Sequence, residues 1–267
     1  MGSPASEQLK AFLIGEGIAY SASPVMQEAA FRACGLDWVY ELRDIPASGL
    51  PAVIAELREP ETVGANVGIP HKVAIRTLLD GLEGDAELAG AVNTVCKVEG
   101  RLIGLNTDVI GIRAALGAVG LEPAGARAVV LGAGGSARAA ALALKGARLT
   151  FVARHPERAA GLPGEVRDWS DPAWPRLVRR ADLLLNATPL GRREEMPLRP
   201  GFLPSRGAVI DLVYLRGGTP LVRKARSLGI RCADGWPVLL GQGAASFEAW
   251  TGRPAPIEAM RGALPAA

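Results

Sequence analysis

Five lysines in 267 residues make each one worth asking about, and Lys72 closes the apolar stretch GANVGIPHK. Other polar residues of the first 108 also stand at the ends of apolar runs: Ser21 and Ser23, Asn66, Asn93 and Thr94, Asn106 and Asp108. In an α/β layer, strand ends and helix starts are where ligands gather. Together these side chains offer hydroxyls, amides, one cation and one carboxylate, a set suited to a small polyhydroxylated anion. Each also has a plainer use. Ser23 can cap a helix, Asn93 and Asn106 can satisfy turns, Asp108 can cap the helix it opens, and Lys72 can be a solvated first-turn lysine. Gln242, on one face of the last helical pattern, joins the set if the chain returns to the first domain.

A second chemistry is written in Gly132-Ala133-Gly134-Gly135-Ser136-Ala137. It follows the strand pattern AVVL and precedes an alanine-rich helix. Glycines permit the tight turn and let backbone approach a diphosphate, and the small residue at 137 lets helix and strand pack closely. The helix start offers free N–H groups and a positive dipole end to phosphates. The plainer reading is a glycine turn that packs two elements. About twenty residues past the first glycine, an NAD binder usually carries an acidic residue for the ribose hydroxyls. Arg154 stands there, followed by Arg158. Guanidinium groups can bind a 2′-phosphate bidentately, so NADP is favoured over NAD, unless Arg154 merely faces solvent.

The elements that must position these groups are read from periodicity and punctuation. AFLIG is a strand, and Ser23-Pro24 opens a helix, with Ser23 as N-cap, that stops near Gly35. WVYELRDI is a strand, LPAVIAELRE a helix and VGANVGI a buried strand. HKVAIRTLLDG is helix-like with a glycine stop, and AVNTVCKVEGRLIGLNTD is a hairpin turning at Glu99-Gly100. Parallel pairing is expected everywhere except at that hairpin. From Asp108 a second unit follows: helix, strand, glycine turn, helix, then strands RLTFVAR, ADLLLNATPLG and GAVIDLVY. GLPGEVRDWSDPAWP reads as a loop, PLVRKARSLG as a helix, and VLLGQGAASFEAW as a long helix ending near Thr251-Gly252. The expected domains are 1–107 with 238–267, discontinuous, and 108–237.

Composition narrows the class. A net charge of +3, with basic residues spread along the chain, suggests no nucleic-acid partner. No apolar run is long enough for a membrane span, and no early segment reads as a signal peptide. Three scattered cysteines show no metal or disulfide spacing, which fits a reducing cytoplasm. Met1-Gly2 with Ser6 formally matches a myristoylation pattern, a match too short to carry weight.

The stretches SASP, NVGIPHK, AVNTV, NTDVIG, GAGGSARA, NATPLG and GQGAASFEAWTG carry a resemblance over nearly the whole chain. In order and spacing they resemble the shikimate dehydrogenase family. That resemblance implies an α/β protein of two domains, a substrate-binding domain and a Rossmann-type NADP-binding domain, with the active-site cleft between them. It implies NADP-linked hydride transfer between 3-dehydroshikimate and shikimate, a small-molecule substrate, and a monomer or homodimer without a metal. By the same resemblance Lys72 and Asp108 are catalytic, with Asp108 holding Lys72. Ser21, Ser23, Asn93, Gln242 and Tyr214 bind substrate. Gly132, Gly134, Gly135, Ser136, Ala137, Arg154, Arg158, Thr188 and Gly235 bind cofactor. The chain departs from the family at Ala153 and His155, where Asn and Thr are usual. It also departs at Tyr20 for histidine, Val238 for methionine, and Gly68 for a threonine or serine that bonds a substrate hydroxyl. Glycine leaves space at that point, so a paralogue acting on quinate or an aminoshikimate-like acid is the alternative. An NADP(H)-binding module with little catalysis is a further one, disfavoured by the intact Lys72 and Asp108.

Overall fold

The computed structural model describes residues 8–265, and the Met1-Gly2 pattern lies outside them. The described chain divides into two compact units, one running to Thr107 and resuming over Gly243–Leu264, the other spanning Asp108–Gln242.

The first unit holds β1 (Leu9–Gly15), α1 (Ser23–Ala33), β2 (Trp38–Asp44), α2 (Leu50–Arg58), β3 (Thr62–Val67), β4 (Gly81–Leu82), α3 (Asp85–Ala89), β5 (Thr94–Val98) and β6 (Arg101–Leu105). They form one sheet in the order β2-β1-β3-β5-β6-β4. Phe12, Ile14, Leu57, Val67, Val95 and Leu102 make its buried core. β1, β2 and β3 run parallel, and β5 and β6 form the expected hairpin. Glu99 and Gly100 both have positive φ, as a two-residue hairpin turn requires. One expectation needs correcting: β5 is also antiparallel to β3. A parallel return needs a crossover of a dozen or more residues. The link from β4 to β5 contains only the short α3, so the chain re-enters the sheet from the edge it has just left.

Two local readings also shift. Ser23 is the first residue of α1 rather than its cap, and the Ser21 hydroxyl accepts its backbone N–H at 3.2 Å. The stretch HKVAIRTLLDG yields a short 3-10 turn over Ala74–Leu78, not an α-helix, and Gly81 begins β4. An α-helix would need the Lys72 carbonyl for Arg76. That carbonyl instead accepts the Val92 N–H at 2.8 Å.

The second unit holds α4 (Asp108–Ala118), β7 (Arg127–Leu131), α5 (Gly135–Ala143), β8 (Arg148–Ala153), β9 (Glu165–Asp168), α6 (Trp174–Arg180), β10 (Leu183–Asn186), β11 (Ala208–Asp211), α7 (Pro220–Ser227) and β12 (Arg231–Ala233). Its sheet runs β12-β11-β10-β7-β8-β9, every pair parallel. Near-continuous apolar strands such as LLLN suit a sheet buried on both faces. The stretch read as a loop contains β9 and the start of α6. Trp174 packs on Trp169 with ring centroids 5.3 Å apart and donates its Nε1–H to the Trp169 carbonyl, which folds the segment onto the sheet. α8 (Gly235–Thr251) crosses the unit boundary after Gln242, and α9 (Ile257–Ala263) follows within the first unit. No helix among the described residues is long and apolar enough to cross a membrane.

Candidate functional site

Register places the polar residues of the first unit at one edge of its sheet. Gly15 pairs with Asp44, Ile14 with Val67, Asn66 with Thr94, and Thr94 with Leu105. The carboxyl ends of β1, β3 and β6 and the start of β5 therefore share that edge, with Lys72, Asn93 and Asn106 on the connections leaving or entering it. Backbone bonds fasten these connections together: Gly68 N–H to Ile14, Val67 N–H to Asn93, Val92 N–H to Lys72, and Asn93 N–H to Leu105. Lys72 is half-buried and held by its own carbonyl, so its position is set from the main chain.

Behind the edge lies a buried hydrogen-bond network. The Asn66 amide donates to Ser246 Oγ at 2.8 Å, to Thr94 Oγ1 at 3.2 Å and to the Asn93 carbonyl at 3.2 Å. Its Oδ1 accepts the Tyr40 hydroxyl at 2.7 Å. Asn93 donates to Thr107 Oγ1 at 2.8 Å and accepts the Thr107 N–H at 2.6 Å. Asn66 is thus a structural hub with both ends of its amide engaged. Thr94 belongs to the same network. Asn106 donates to the Ala91 carbonyl at 2.8 Å, which ties β6 to the turn before Asn93. Sequence reading missed Tyr40, Thr107 and Ser246. Ser246 stands four residues after Gln242, hence on the same helix face, and that spacing was its signal. Tyr40 showed none beyond its place in an alternating strand.

At Gly68, a Cβ would lie 3.4 Å from the Ile14 carbonyl and 3.7 Å from Leu13 Cδ1, ordinary contacts. The backbone there does not demand glycine.

The second unit likewise gathers its candidates at one edge. Leu131 pairs with Asn186 and Val152, and Asn186 with Asp211. The residues that follow these strand ends are Gly132, Arg154, Thr188 and Tyr214, with Gly235 beyond β12. Gly132 has φ +111° and a Cβ there would meet the Ala187 carbonyl at 3.2 Å, so the turn itself needs this glycine. Gly134 is different: a Cβ would find no protein atom within 4 Å. It precedes α5, whose first turn has no side-chain cap. Gly135 and Ser136 open the helix, and Ala137 is fully buried against the sheet. Arg154 and Arg158 are both exposed, Arg158 on a 3-10 turn over Pro156–Ala159.

Other candidates have structural employment as well. The Thr188 hydroxyl donates to Asn186 Oδ1 at 2.6 Å and accepts the Leu190 N–H, closing an Asx-type turn. A Cβ at Gly235 would lie 2.5 Å from the Leu212 carbonyl and 2.8 Å from Tyr214 N, so packing alone requires glycine there. Tyr214 stacks on Trp236 with centroids 4.8 Å apart. Asp108 is buried at the first turn of α4, and Gln242 is buried on α8, donating to the Leu239 carbonyl. Their helices touch through glycines, since a Cβ at Gly241 would come within 3.2 Å of Gly111 Cα. Asn186 and Asp211 are fully buried. Asp211 accepts from Asn186, Val213 N–H and the Thr219 hydroxyl, yet burial pushes its carboxyl up to about 6.

A fully parallel sheet with a glycine turn opening a helix, and exposed arginines after the next strand, defines the second unit as a Rossmann-type dinucleotide-binding domain. The chain as a whole belongs to the shikimate dehydrogenase family. Residues 13–95 match the shikimate dehydrogenase substrate binding domain, and residues 235–264 the shikimate 5′-dehydrogenase C-terminal domain. The shikimate dehydrogenase (NADP(+)) of Symbiobacterium thermophilum is 41% identical over 273 residues, covering 96% of this chain and 93% of that protein. The crystal structure of shikimate 5-dehydrogenase from Thermus thermophilus in complex with NADP(H) and shikimate is 38% identical, with TM-score 0.84 over 96% of this chain and 98% of that one. The ligand-free 5-ketofructose reductase of a Gluconobacter strain is 34% identical, with TM-score 0.80 over 97% of this chain and 98% of that one.

Proposed function

We propose that this protein is an NADP-dependent shikimate dehydrogenase, reversibly reducing 3-dehydroshikimate to shikimate on the route to chorismate and the aromatic amino acids. The observation that carries the reading is its near full-length match to the Thermus enzyme solved with NADP(H) and shikimate. The residues present suit the cofactor. Gly134 lets a diphosphate approach the uncapped start of α5, where N–H groups and the helix dipole favour anions. Arg154 and Arg158 offer guanidinium groups for a 2′-phosphate. Gly132, Gly135, Ser136, Ala137, Thr188 and Gly235 shape the remaining cofactor surface.

Bound NADPH supplies the hydride. Lys72 stabilises the alkoxide that develops on the substrate carbonyl and donates its proton, and in the reverse direction it accepts that proton. Asp108 shares the proton traffic. Ser21, whose hydroxyl oxygen accepts the Ser23 N–H, offers its hydroxyl at the start of α1 for a substrate oxygen. Ser23, Asn93, Tyr214 and Gln242 complete the recognition of hydroxyls and carboxylate. The domains that perform this are 1–107 with 238–267, and 108–237. The reading places the enzyme in the cytoplasm, with no macromolecular partner. A monomer and a homodimer both accommodate it, and sedimentation velocity separates them.

A second reading has a specific observation behind it. Gly68 leaves room beside the Lys72 stretch, and a close structural neighbour is named for reduction of a different polyol ketone. The deciding experiment is coenzyme reduction by purified protein with shikimate or quinate, NAD⁺ serving as control. Shikimate turnover with NADP⁺ supports the first reading. Silence on shikimate with turnover of quinate sinks it in favour of a changed pocket.

A further inference from the structure

Arg138 lies on α5, one turn into the helix that follows the glycine turn, and no role above involves it. Its backbone N–H makes the first helical bond, to the Gly134 carbonyl at 3.1 Å. Its guanidinium reaches outward to a different segment. Nη2 donates to the Arg158 carbonyl at 3.1 Å and to the Ala160 carbonyl at 3.0 Å. Those carbonyls flank the last residue of the 3-10 turn that carries Arg158. On its inner side the same turn is docked by Ala159, buried against Ala133 of the glycine turn and Ala153 at the end of β8. The turn is short, with backbone bonds from Arg158 N–H to His155, from Ala160 N–H to Glu157 and from Leu162 N–H to Ala159. Arg138 is its fastening to α5.

We infer that Arg138 is a specificity-determining positioning residue for the 2′-phosphate of the coenzyme: it sets Arg158, and through it the preference for NADP over NAD. The inference rests on the cofactor reading given above. Its physical basis is pre-organisation. Arg158 is exposed and carries a flexible side chain, and ordering it on binding costs affinity. Fixing its main chain from both sides lowers that cost. The same residue lies in the first turn of α5, near the diphosphate end, so one side chain ties the two phosphate-binding elements into a single frame. A lysine at 138 is one atom shorter than arginine, so its ammonium does not reproduce the position from which Nη2 donates to both carbonyls.

The test is equilibrium binding of NADP⁺, NAD⁺, 2′,5′-ADP and 5′-AMP to wild type, R138L, R138K, R158L and the double variant R138L/R158L, with thermal melts to establish that each is folded. The expected result is that R138L weakens NADP⁺ and 2′,5′-ADP by about tenfold, the size of one charge-assisted hydrogen bond. NAD⁺ and 5′-AMP should change little, R138K should restore only part of the loss, and R138L should add almost nothing in the R158L background. Equal weakening of NADP⁺ and NAD⁺ by R138L overturns the inference, because it marks a general structural effect. Full additivity in the double variant also overturns it, because Arg138 then does not act through Arg158. If wild type itself fails to prefer NADP⁺ over NAD⁺, the cofactor reading falls first and takes this inference with it. A wild type that discriminates beside an R138L that discriminates equally well defeats the inference alone.

Discussion

Lys72 owes its place to a main-chain bond rather than to a helix. Because Val92 takes its carbonyl, Lys72 stands on a turn tied to the residue before Asn93. Lys72→Met or Asp108→Asn should lower kcat at least ~100-fold, the lower end of acid–base contributions. Steady-state kinetics with melts in parallel would check this, and near-wild-type turnover in either variant would remove that residue from the mechanism. Gly68 offers the sharper residue-scale test. A threonine fits there without backbone conflict, its Cβ meeting the Ile14 carbonyl at 3.4 Å. Gly68→Thr should raise kcat/KM for shikimate by roughly tenfold, the worth of a restored hydrogen bond to a partly buried hydroxyl. A collapse of turnover would instead assign the space to another substrate. At this scale the sequence singled out residues with exceptional chemistry, Lys72, Asp108 and the arginines, as candidates. It was opaque for Asn66, whose amide could face a ligand or a network equally well until Tyr40 and Ser246 were seen to engage both ends.

Among the elements, the two carboxyl-edge glycines separate packing from binding. A Cβ at Gly235 runs into backbone, 2.5 Å from the Leu212 carbonyl, and backbone cannot rotate away. Gly235→Ala should destabilise the fold by about 1–3 kcal/mol, the usual range for overpacking, measurable as a lower denaturation midpoint. Gly134→Ala meets no protein atom within 4 Å. Its stability should stay within about 0.5 kcal/mol of wild type, while NADP⁺ affinity falls, because the methyl group occupies the approach to the start of α5. Retained affinity in Gly134→Ala would mean that the diphosphate lies elsewhere. Long periodic elements such as α8, and strands bounded by turn residues, were readable from pattern. The 3-10 turn at Ala74–Leu78, β9 and the direction of β5 were not. Each depends on a partner distant in sequence: Val92 for the first, β8 for the second, β3 for the third.

Over the whole molecule, stability against pH sums contributions of opposite sign. Asp80 is held down to about 2 by the Arg58 guanidinium, then by the Leu102 N–H. Asp211 goes the other way. Burial raises it to about 6 against three hydrogen bonds that favour the charge. A carboxyl whose folded value lies above its unfolded one binds more protons when folded. Its stabilising effect is therefore complete below the ordinary carboxylate range and is lost as pH rises through about 6. Asp211→Asn should remove that loss, so the stability difference between variant and wild type should move in the variant's favour from pH 4 to pH 7. Parallel pH-stability curves for the two proteins would refute the shift. An asparagine here can still accept from Val213 and Asn186 through its oxygen, which keeps the turn at Thr188 in place.

What the sequence determined by itself was short-range. Glycines at the turn after β7, arginines after β8, the proline at the start of α1, and the alternation of strands and helices all act within a few residues, where dihedral preference and periodicity decide. Tertiary structure alone decided which distant polar groups meet. Asn66 and Ser246 are 180 residues apart in the chain yet 2.8 Å apart across a hydrogen bond, and Arg138 grips carbonyls 20 and 22 residues away. The reason is that a buried donor must find an acceptor. Many candidates in the sequence satisfy that demand equally, and the choice among them is made only when the whole chain packs and removes the water that would otherwise serve.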